Sequence, residues 1–456
     1  MTLEADLERY RSHPAVGIKR IQIGTDALGA LAEIIQGLPA RSSIALLVDG
    51  VEYETSLGTE VKSAVVDTLT ALGAVIEVRL DGDVHADERT VAEAVAGCAS
   101  ADVVVTVGSG TLCDIGKVAA GDRPHVVVQT AASVNGFADD QSVLLINGVK
   151  RTTHSAWPTA LVIDTDVLEG APVLLNRSGL GDMISMFTAP ADWYLASLVD
   201  MDRGWSTEAA LMTRRYGEEL RGAASGIGSA QTDALATLAR FVTLSGISMG
   251  VAGQTSPSSG MEHTVSHLLD MADAARGRGN AHHGAQVGVA TVVVAILWRR
   301  LRQRLADGTL DALTLPSADN AERQVNAAFG WMDADGATVG ECWNDYALKL
   351  EHLRAVDAPG RIRSAMSAWA SHAVVLDELL ETPENIVAAL RDAGAPTRFS
   401  ELEHPSQPDD VVWALRNCHL MRNRFTIADL AFLSGNWSAA LVDSVLAEAS
   451  DLGAGL

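Results

Sequence analysis

The sequence predicts an α/β fold: an N-terminal, Rossmann-like parallel-sheet domain followed by an all-helical metal-binding domain. In the first third of the chain, short β-rich segments alternate with helical patterns, which is typical of a parallel sheet covered by helices. Beyond about residue 170 only helical patterns remain. Those patterns carry histidines at spacings that suit a metal site.

The first third contains five strand candidates, which are short apolar runs typical of strands buried on both faces. They cover residues 44–48, 74–80, 103–107, 126–128 and 160–163, and the helices between them cover 61–72, 91–99 and 111–120. The polar segment over 130–153 is expected to form a hairpin-like excursion.

Apolar residues then recur at helical spacing over 209–220, 233–244, 261–275, 285–305, 362–380 and 383–393. The pattern changes near residues 164–172 without a low-complexity linker. We therefore predict a dinucleotide-binding domain over 1–168 and a helical metal and substrate domain over 169–456.

Composition and charge exclude several classes of protein. A formal net charge of −24 argues against a nucleic-acid surface, because duplex binding requires clustered Lys and Arg. Four cysteines without CxxC spacing predict neither a disulfide framework nor a thiolate zinc site. The N-terminus is charged, and the longest apolar run, 287–298, is shorter than the roughly 20 residues that cross a bilayer. We expect a cytoplasmic protein without a membrane span.

The acidic total still permits a small anionic ligand. Local cations that could bind one phosphate are Lys150, Arg151, Arg177 and Arg276. An ordinary surface charge is the simpler interpretation of each.

Two loops that follow predicted strands are candidate cofactor sites. The first opens a helix, whose N-terminus can accept a pyrophosphate, and comprises Gly108, Ser109, Gly110, Thr111 and Leu112. The second supplies small side chains and donors from Thr130, Ala131, Ala132 and Ser133. A plain turn is the alternative for each loop.

Asp49 ends an early strand, where its carboxylate could accept hydrogen bonds from an adenosine ribose. A carboxylate there also repels the 2′-phosphate of NADP, so Asp49 favours NAD. A strand-end cap is the alternative interpretation.

The candidate metal ligands are an aspartate and histidines on predicted helices. His263 and His267 are four residues apart and share one helix face. His283 stands at a second predicted helix start, and Asp182 follows two glycines at what is predicted to be a third. Singly, Asp182 would be a helix cap and the histidines core or surface residues. Together they predict an open, catalytic metal site.

These motifs resemble those of the sn-glycerol-1-phosphate dehydrogenase family, within the iron-containing alcohol dehydrogenase, glycerol dehydrogenase and dehydroquinate synthase superfamily. The resemblance extends from about residue 44 to 283 and returns over 424–430. It is carried by 108–112 with Asp114 and Lys117, by 181–183, by Asp192 and Trp193, by 259–263 with His267, and by His283 and Gly284.

The resemblance implies that the two loops bind NAD or NADP and that Asp182, His263 and His283 ligate one divalent metal, zinc first, with nickel or iron as alternatives. It implies hydride transfer from the reduced nicotinamide to the carbonyl of dihydroxyacetone phosphate, which the metal polarises. His267 would face the substrate and supply a proton, unless water at the metal does so. A homodimer is also implied.

Two positions depart from the family pattern. Asn135 stands where the family has an aspartate; it cannot donate a proton as an acid, but its amide could orient a substrate hydroxyl. Asp139 stands where a serine touches the cofactor, and it places a negative charge near the expected nicotinamide or phosphate region.

Other functions stay open on this scaffold. The changes at Asn135 and Asp139 favour a dehydrogenase acting on a different polyol or phosphonate. A sugar-phosphate cyclase resembling dehydroquinate synthase would return its NAD unchanged, but we find no additional lysines and arginines assignable to its metal. A non-enzymatic binding protein is disfavoured by the intact Asp182, His263 and His283.

Overall fold

The computed structural model describes residues 2–82, 84–146, 149–310, 313–334 and 336–456. Within these residues every β-strand ends by Asp164, and helices make up the rest of the regular structure. The structure confirms the predicted fold class, an α/β part built on a parallel sheet followed by a mostly helical part.

The strands of the described residues form one sheet and one hairpin. They are β1 (Arg20–Gly24), β2 (Ser43–Val48), β3 (Ala74–Arg79), β4 (Val103–Gly108), β5 (His125–Gln129), β6 (Gln141–Ile146), β7 (Val149–His154) and β8 (Ala160–Asp164). The six-stranded sheet is parallel, in the order β1-β8-β5-β4-β2-β3, and β6 pairs antiparallel with β7. The hairpin lies in the segment predicted as an excursion; residues 147 and 148 of that segment lie outside the described residues.

The α-helices that precede the last strand are α1 (Leu3–Arg11), α2 (Leu31–Gln36), α3 (Val61–Thr70), α4 (Glu88–Cys98) and α5 (Gly110–Ala120). Those that follow it are α6 (Thr165–Gly170), α7 (Val173–Ile184), α8 (Ala189–Leu198), α9 (Thr207–Arg214), α10 (Gly217–Gly228), α11 (Thr232–Ala252), α12 (Met261–Ala275), α13 (His283–Ala306), α14 (Ala318–Phe329), α15 (Ala337–Ala355), α16 (Ala358–Ser367), α17 (Trp369–Leu379), α18 (Pro383–Asp392), α19 (Pro408–Asn417), α20 (Ile427–Leu433) and α21 (Ala439–Asp451).

The sequence prediction misses one strand and misjudges two helices. β1 alternates polar and apolar residues because it is an edge strand that pairs only with β8 and stays partly exposed. The pattern over 209–220 is divided between α9 and α10, and that over 362–380 between α16 and α17. Apolar spacing continues across both interruptions, so periodicity does not reveal them.

The sheet is buried on both faces. Val103, Val105 and Val107 of β4 pack in one apolar layer with α2 and α3, whereas Val104 packs in the opposite layer with α4 and α5. Successive residues of a strand point to opposite faces. The polar loop that follows Gly108 is thereby fixed at the carboxyl edge of a rigid sheet.

Helices α11 and α13 form the centre of the helical part. By length and composition alone both could cross a membrane, but 78% and 89% of their most apolar windows are buried inside the protein. The apolar run over 287–298 lies in α13 and is buried, as the sequence predicts for a core helix.

The first helix packs against the helical part of the chain. Leu3, Leu7 and Tyr10 of α1 are buried, and the Tyr216 hydroxyl donates a hydrogen bond to Asp6 Oδ2 at 2.7 Å. The domain boundary at residues 168 and 169 stays a prediction, and α1 makes contacts across it.

Helices α7 and α13 cross in backbone contact. A Cβ atom on Gly181 would lie 2.3 Å from the carbonyl oxygen of Gly284, and one on Gly284 would lie 2.0 Å from the carbonyl oxygen of Ser178. Both distances are far below van der Waals contact, so neither position admits a side chain. The crossing places Asp182, on α7, beside His283, the first residue of α13.

We predict that Gly181→Ala destabilises the protein by about 1–3 kcal/mol, because the added methyl group forces the two helices apart. The matched control is Gly222→Ala in α10, where a Cβ atom meets nothing within 4 Å. That substitution should stabilise by up to about 1 kcal/mol through helix propensity. Urea unfolding midpoints measure both effects, and equal shifts in the two variants would contradict the close crossing.

Candidate active site

A cavity of about 670 Å³ lies at the carboxyl edge of the sheet. Its walls come from the loop after β4, the β6–β7 hairpin and the helices α7, α12 and α13. In open α/β sheets this edge is the usual place for ligands. The predicted metal ligands and part of the predicted cofactor loops share the cavity.

The structure brings the three predicted metal ligands together. One ligand atom each from Asp182, His263 and His283 lies within 4.8 Å of the others. Asp182 Oδ1 is 3.3 Å from His263 Nε2 and 4.0 Å from His283 Nε2. This carboxylate oxygen is buried and has no hydrogen-bond partner in the described residues. It is therefore free to bind a cation.

Asp182 reaches this position from the end of a helix rather than from its start. The predicted helix start was wrong, because α7 begins at Val173 and Asp182 lies in its last turn. The glycines that suggested a start serve close contact: a Cβ atom on Gly179 would lie 1.6 Å from the Ala132 carbonyl oxygen. A helix dipole favours carboxylates only at the N-terminus, so capping does not explain Asp182.

Neighbouring groups fix the orientation of both histidine ligands. His263 Nδ1 lies 3.1 Å from Glu262 Oε1, and His283 Nδ1 lies 3.1 Å from Ser266 Oγ. The Ser266 hydroxyl donates to Gln286 Oε1 at 2.8 Å, so its oxygen accepts from His283. Metal-binding histidines usually donate their second ring nitrogen in this manner. Both Nε2 atoms are left for a metal, and the residues fit a divalent cation.

Burial and charge set the protonation of these groups. Burial lowers the pKa of His263, but the carboxylates of Asp182 and Glu262 outweigh it and raise that pKa to about 9. Burial raises the pKa of Asp182, yet the contact with His263 holds it below its usual value. The pKa of His283 falls to about 4, chiefly through burial. A divalent cation would take the place of the proton on His263.

His267 lies in the cavity wall one turn beyond His263 on α12. Its ring centroid is 5.4 Å from that of His283, and its Nδ1 is buried without a partner in the described residues. Burial lowers the pKa of His267, and the positive charge of Arg422 lowers it further. The imidazole is therefore neutral, and its substrate-facing role stays a prediction.

Asn135 also lines the cavity, beside the metal ligands. Its backbone N–H donates to Asp182 Oδ2 at 2.9 Å. Its side-chain Nδ2 is buried and finds no acceptor among the described residues. An unsatisfied buried donor is costly, so this amide is suited to an oxygen atom of a ligand.

The cofactor loops reach the cavity only in part. Those predicted residues that line it are Ser109, Gly110, Thr111, Ser133 and Asp139, whereas Gly108, Leu112, Thr130, Ala131 and Ala132 are buried and do not line it. The first turn of α5 has no side-chain cap in the described structure. Its backbone N–H groups are available to a phosphate.

Asp49 does not line the cavity, and its carboxylate is bonded within the protein. Oδ2 accepts from the Tyr53 hydroxyl at 2.7 Å, and Oδ1 accepts from Lys62 Nζ at 2.8 Å. This geometry favours the cap interpretation of Asp49. These bonds do not test the predicted contact with a ribose, which stays a prediction.

The charge of Asp139 is paired, which the sequence interpretation did not foresee. Lys117, fully buried, forms an ion pair with Asp139 and donates to the carbonyl oxygens of Gly136 and Gln141 at 2.5 and 2.8 Å. Burial raises the pKa of Asp139 and also that of nearby Asp114, to about 7. The cavity near Asp139 is thus less negative than the sequence suggests.

Sequence reasoning assigned no role to three groups at the site. Glu262 and Ser266 orient the histidines, and their signal is local, because each lies within three residues of His263 on the same helix. Arg422 lines the cavity from a distant segment. Its signal is its position just before the stretch over 424–430 that carries the family resemblance.

Comparisons with known proteins agree with the observed fold. The family model for iron-containing alcohol dehydrogenases matches residues 22–172. A Bacillus licheniformis protein named glycerol-1-phosphate dehydrogenase, NAD(P)+, is 30% identical over 297 residues, which are 63% of this chain and 72% of that protein. One of the same name from Geobacillus stearothermophilus is 26% identical over 387 residues, 84% of this chain and 90% of its own.

Among solved structures, a probable glycerol dehydrogenase from Sinorhizobium meliloti 1021 superposes with a TM-score of 0.58 at 14% identity. The superposition covers 96% of this chain and 98% of that one. A likeness at this level of identity shows the common fold.

We predict that Lys117→Met destabilises the protein by roughly 3–5 kcal/mol, because buried Asp139 loses its cationic partner. The double variant Lys117→Met/Asp139→Asn should lose less than the sum of the single variants. Urea unfolding of the four proteins measures this coupling. Lys19→Met, at an exposed lysine, is the control and should stay within about 0.5 kcal/mol of the parent protein. Strict additivity would contradict a stabilising pair.

Proposed function

Because the chain belongs to the glycerol-1-phosphate dehydrogenase family of the iron-containing alcohol dehydrogenase superfamily, we propose that it reduces dihydroxyacetone phosphate to glycerol 1-phosphate. A hydride would pass from C4 of NADH or NADPH to the C2 carbonyl carbon, and one proton would complete the alcohol. The observation that carries the proposal is the convergence of Asp182, His263 and His283 in the cavity that the N-terminus of α5 also lines.

Asp182, His263 and His283 would hold one divalent metal. Zinc is our first choice, with nickel or iron as alternatives, because two imidazoles and a carboxylate suit all three. When bound, such a metal supplies Lewis-acid polarisation of the carbonyl group. Glu262 and Ser266 keep both imidazoles oriented toward it.

The remaining cavity residues bind and orient the reactants. The N–H groups of the first turn of α5 and the side chains of Ser109 and Thr111 would bind the cofactor pyrophosphate. The free Nδ2 of Asn135 would donate a hydrogen bond to a substrate oxygen. His267, with its unpaired Nδ1, would relay the proton to the reduced oxygen.

NAD is our expected cofactor, with NADP accepted less well. The Asp49 carboxylate opposes a 2′-phosphate, and its pairing with Lys62 weakens that opposition, so only a small preference is expected. A cytoplasmic homodimer without a membrane span is the expected state, on the family resemblance and the burial of α11 and α13.

A different polyol or phosphonate substrate is the second candidate, and Asn135 in the cavity wall is the observation that favours it. The two candidates are separated by the loss of reduced-nicotinamide absorbance with metal-loaded protein. Dihydroxyacetone phosphate, dihydroxyacetone and a panel of phosphonate ketones serve as substrates, and chelator-treated protein is the control. Metal-dependent loss with the phosphate alone supports the first proposal. No loss with that ketone refutes it.

We predict that His263→Ala loses bound metal and activity together, because a ligand is removed. His267→Ala should keep the metal and lose about 10²–10⁴-fold in kcat, the usual contribution of a proton-transfer group. Elemental analysis of the purified variants measures the metal independently of activity. His154→Ala, at a side chain that is 80% exposed on the hairpin, is the matched control. Full metal content in His263→Ala would refute the ligand assignment.

A further inference from the structure

Three lysine and arginine side chains line the cavity in the described part of the chain: Lys150, Arg278 and Arg422. Two of them are neutralised by carboxylates. Lys150 pairs with Asp270 of α12, and Arg278 pairs with Asp273 at 2.7 Å and with Asp410 at 2.5 Å.

Arg422 is different, because its guanidinium forms no ion pair with any described carboxylate. Among the described residues its one hydrogen bond is donated from Nη2 to the Lys150 carbonyl oxygen on the β6–β7 hairpin, at 3.0 Å. A guanidinium has five N–H donors. Most of those on Arg422 are therefore available to a ligand in the cavity.

The backbone at Arg422 is held in an unusual conformation. Its φ is +60°, in the left-handed region that side chains with a Cβ atom rarely adopt. The chain is tied down directly afterwards, where Arg424 donates to the Ser259 carbonyl oxygen and, at 2.5 Å, to Thr255 Oγ1. Such strain persists only where the surroundings impose it, and it concentrates at functional sites.

The position of Arg422 is close to the proposed chemistry. Ser259 lies two residues before α12, the helix that carries His263 and His267. The hairpin that accepts the Arg422 bond is joined to the same helix by the pair of Lys150 with Asp270, one turn beyond His267. Arg422, Lys150 and His267 therefore face one end of the cavity.

We propose that Arg422 binds the phosphate group of the substrate and thereby selects phosphorylated over unphosphorylated ketones, an inference that rests on the proposed function. A guanidinium matches the oxygens of a phosphate through paired hydrogen bonds. The chain carries a formal net charge of −24, so a phosphate dianion needs a local cation that is not already held in an ion pair.

The structure does not favour the other cations considered from the sequence. Arg151 donates to Glu341 and Asp345, Arg177 donates to the Gly228 carbonyl oxygen, and Arg276 pairs with Asp410. None of these three lines the cavity in the described residues. Lys150 does line it, but its ammonium group is paired with Asp270.

The test compares kcat/KM for dihydroxyacetone phosphate with kcat/KM for dihydroxyacetone in the holoenzyme. Arg422→Gln should lower this ratio by about 10- to 100-fold, the usual loss when hydrogen bonds to a charged group are removed. Arg422→Lys should recover part of it. Arg278→Gln, which removes a cavity cation already paired to two carboxylates, should leave the ratio within about 3-fold of the parent's.

A second measurement keeps the test independent of the reaction. With saturating NAD present, which would occupy the N-terminus of α5, inorganic phosphate should raise the melting temperature of the metal-loaded parent protein and of Arg278→Gln, and should not raise that of Arg422→Gln. Arg422→Asn is the substitute if the glutamine variant fails to fold, because asparagine tolerates the left-handed conformation. Metal content shows that each variant keeps its site.

Each failure has its own signature. If the parent protein does not reduce dihydroxyacetone phosphate, the proposed function fails, and the phosphate melting shift still decides whether Arg422 binds phosphate. If the parent reduces it and Arg422→Gln keeps both the ratio and the melting shift, the inference is overturned. It is also overturned if Arg278→Gln, rather than Arg422→Gln, lowers the ratio.

Discussion

The site depends on the backbone contact between α7 and α13. Gly181 and Gly284 leave no room for a methyl group between the two helices, so the separation of Asp182 from His283 is set by main-chain atoms. The third ligand, His263, comes from α12 and is oriented by Glu262. Close packing resists small displacements, and a rigid arrangement of ligands is what a catalytic metal requires.

Features that depend on residues close in sequence could be predicted from the sequence. Apolar runs revealed the central strands, and the four-residue spacing of His263 and His267 placed both on one helix face. The helix position of Asp182 was predicted wrongly, because it depends on contacts with residues that are distant in sequence. From the sequence alone, a glycine near a helix indicates that the helix starts or ends there. Gly179 and Gly181 are instead required because main-chain atoms of distant segments lie too close for a side chain.

Charges were harder to interpret, because their effect depends on partners that are remote in sequence. Asp139 suggested a negative cavity, but buried Lys117 pairs with it. Asp49 suggested a ribose contact, but Lys62 and Tyr53 occupy its oxygens. Arg422 was not predicted as a site residue, because it lies far in sequence from the others. Only the fold shows which charges are compensated and which face the cavity.

The packing of α1 bears on how the chain acquires its structure. The apolar face of this first helix is covered by α11, and Asp6 accepts its bond from Tyr216. During synthesis α1 leaves the ribosome long before α11 and Tyr216 do. Until those partners are made, Leu3, Leu7 and Tyr10 remain exposed. A fragment cut at residue 168 would never meet them. Expression of residues 1–168 alone should therefore leave the apolar face of α1 exposed, which favours aggregation.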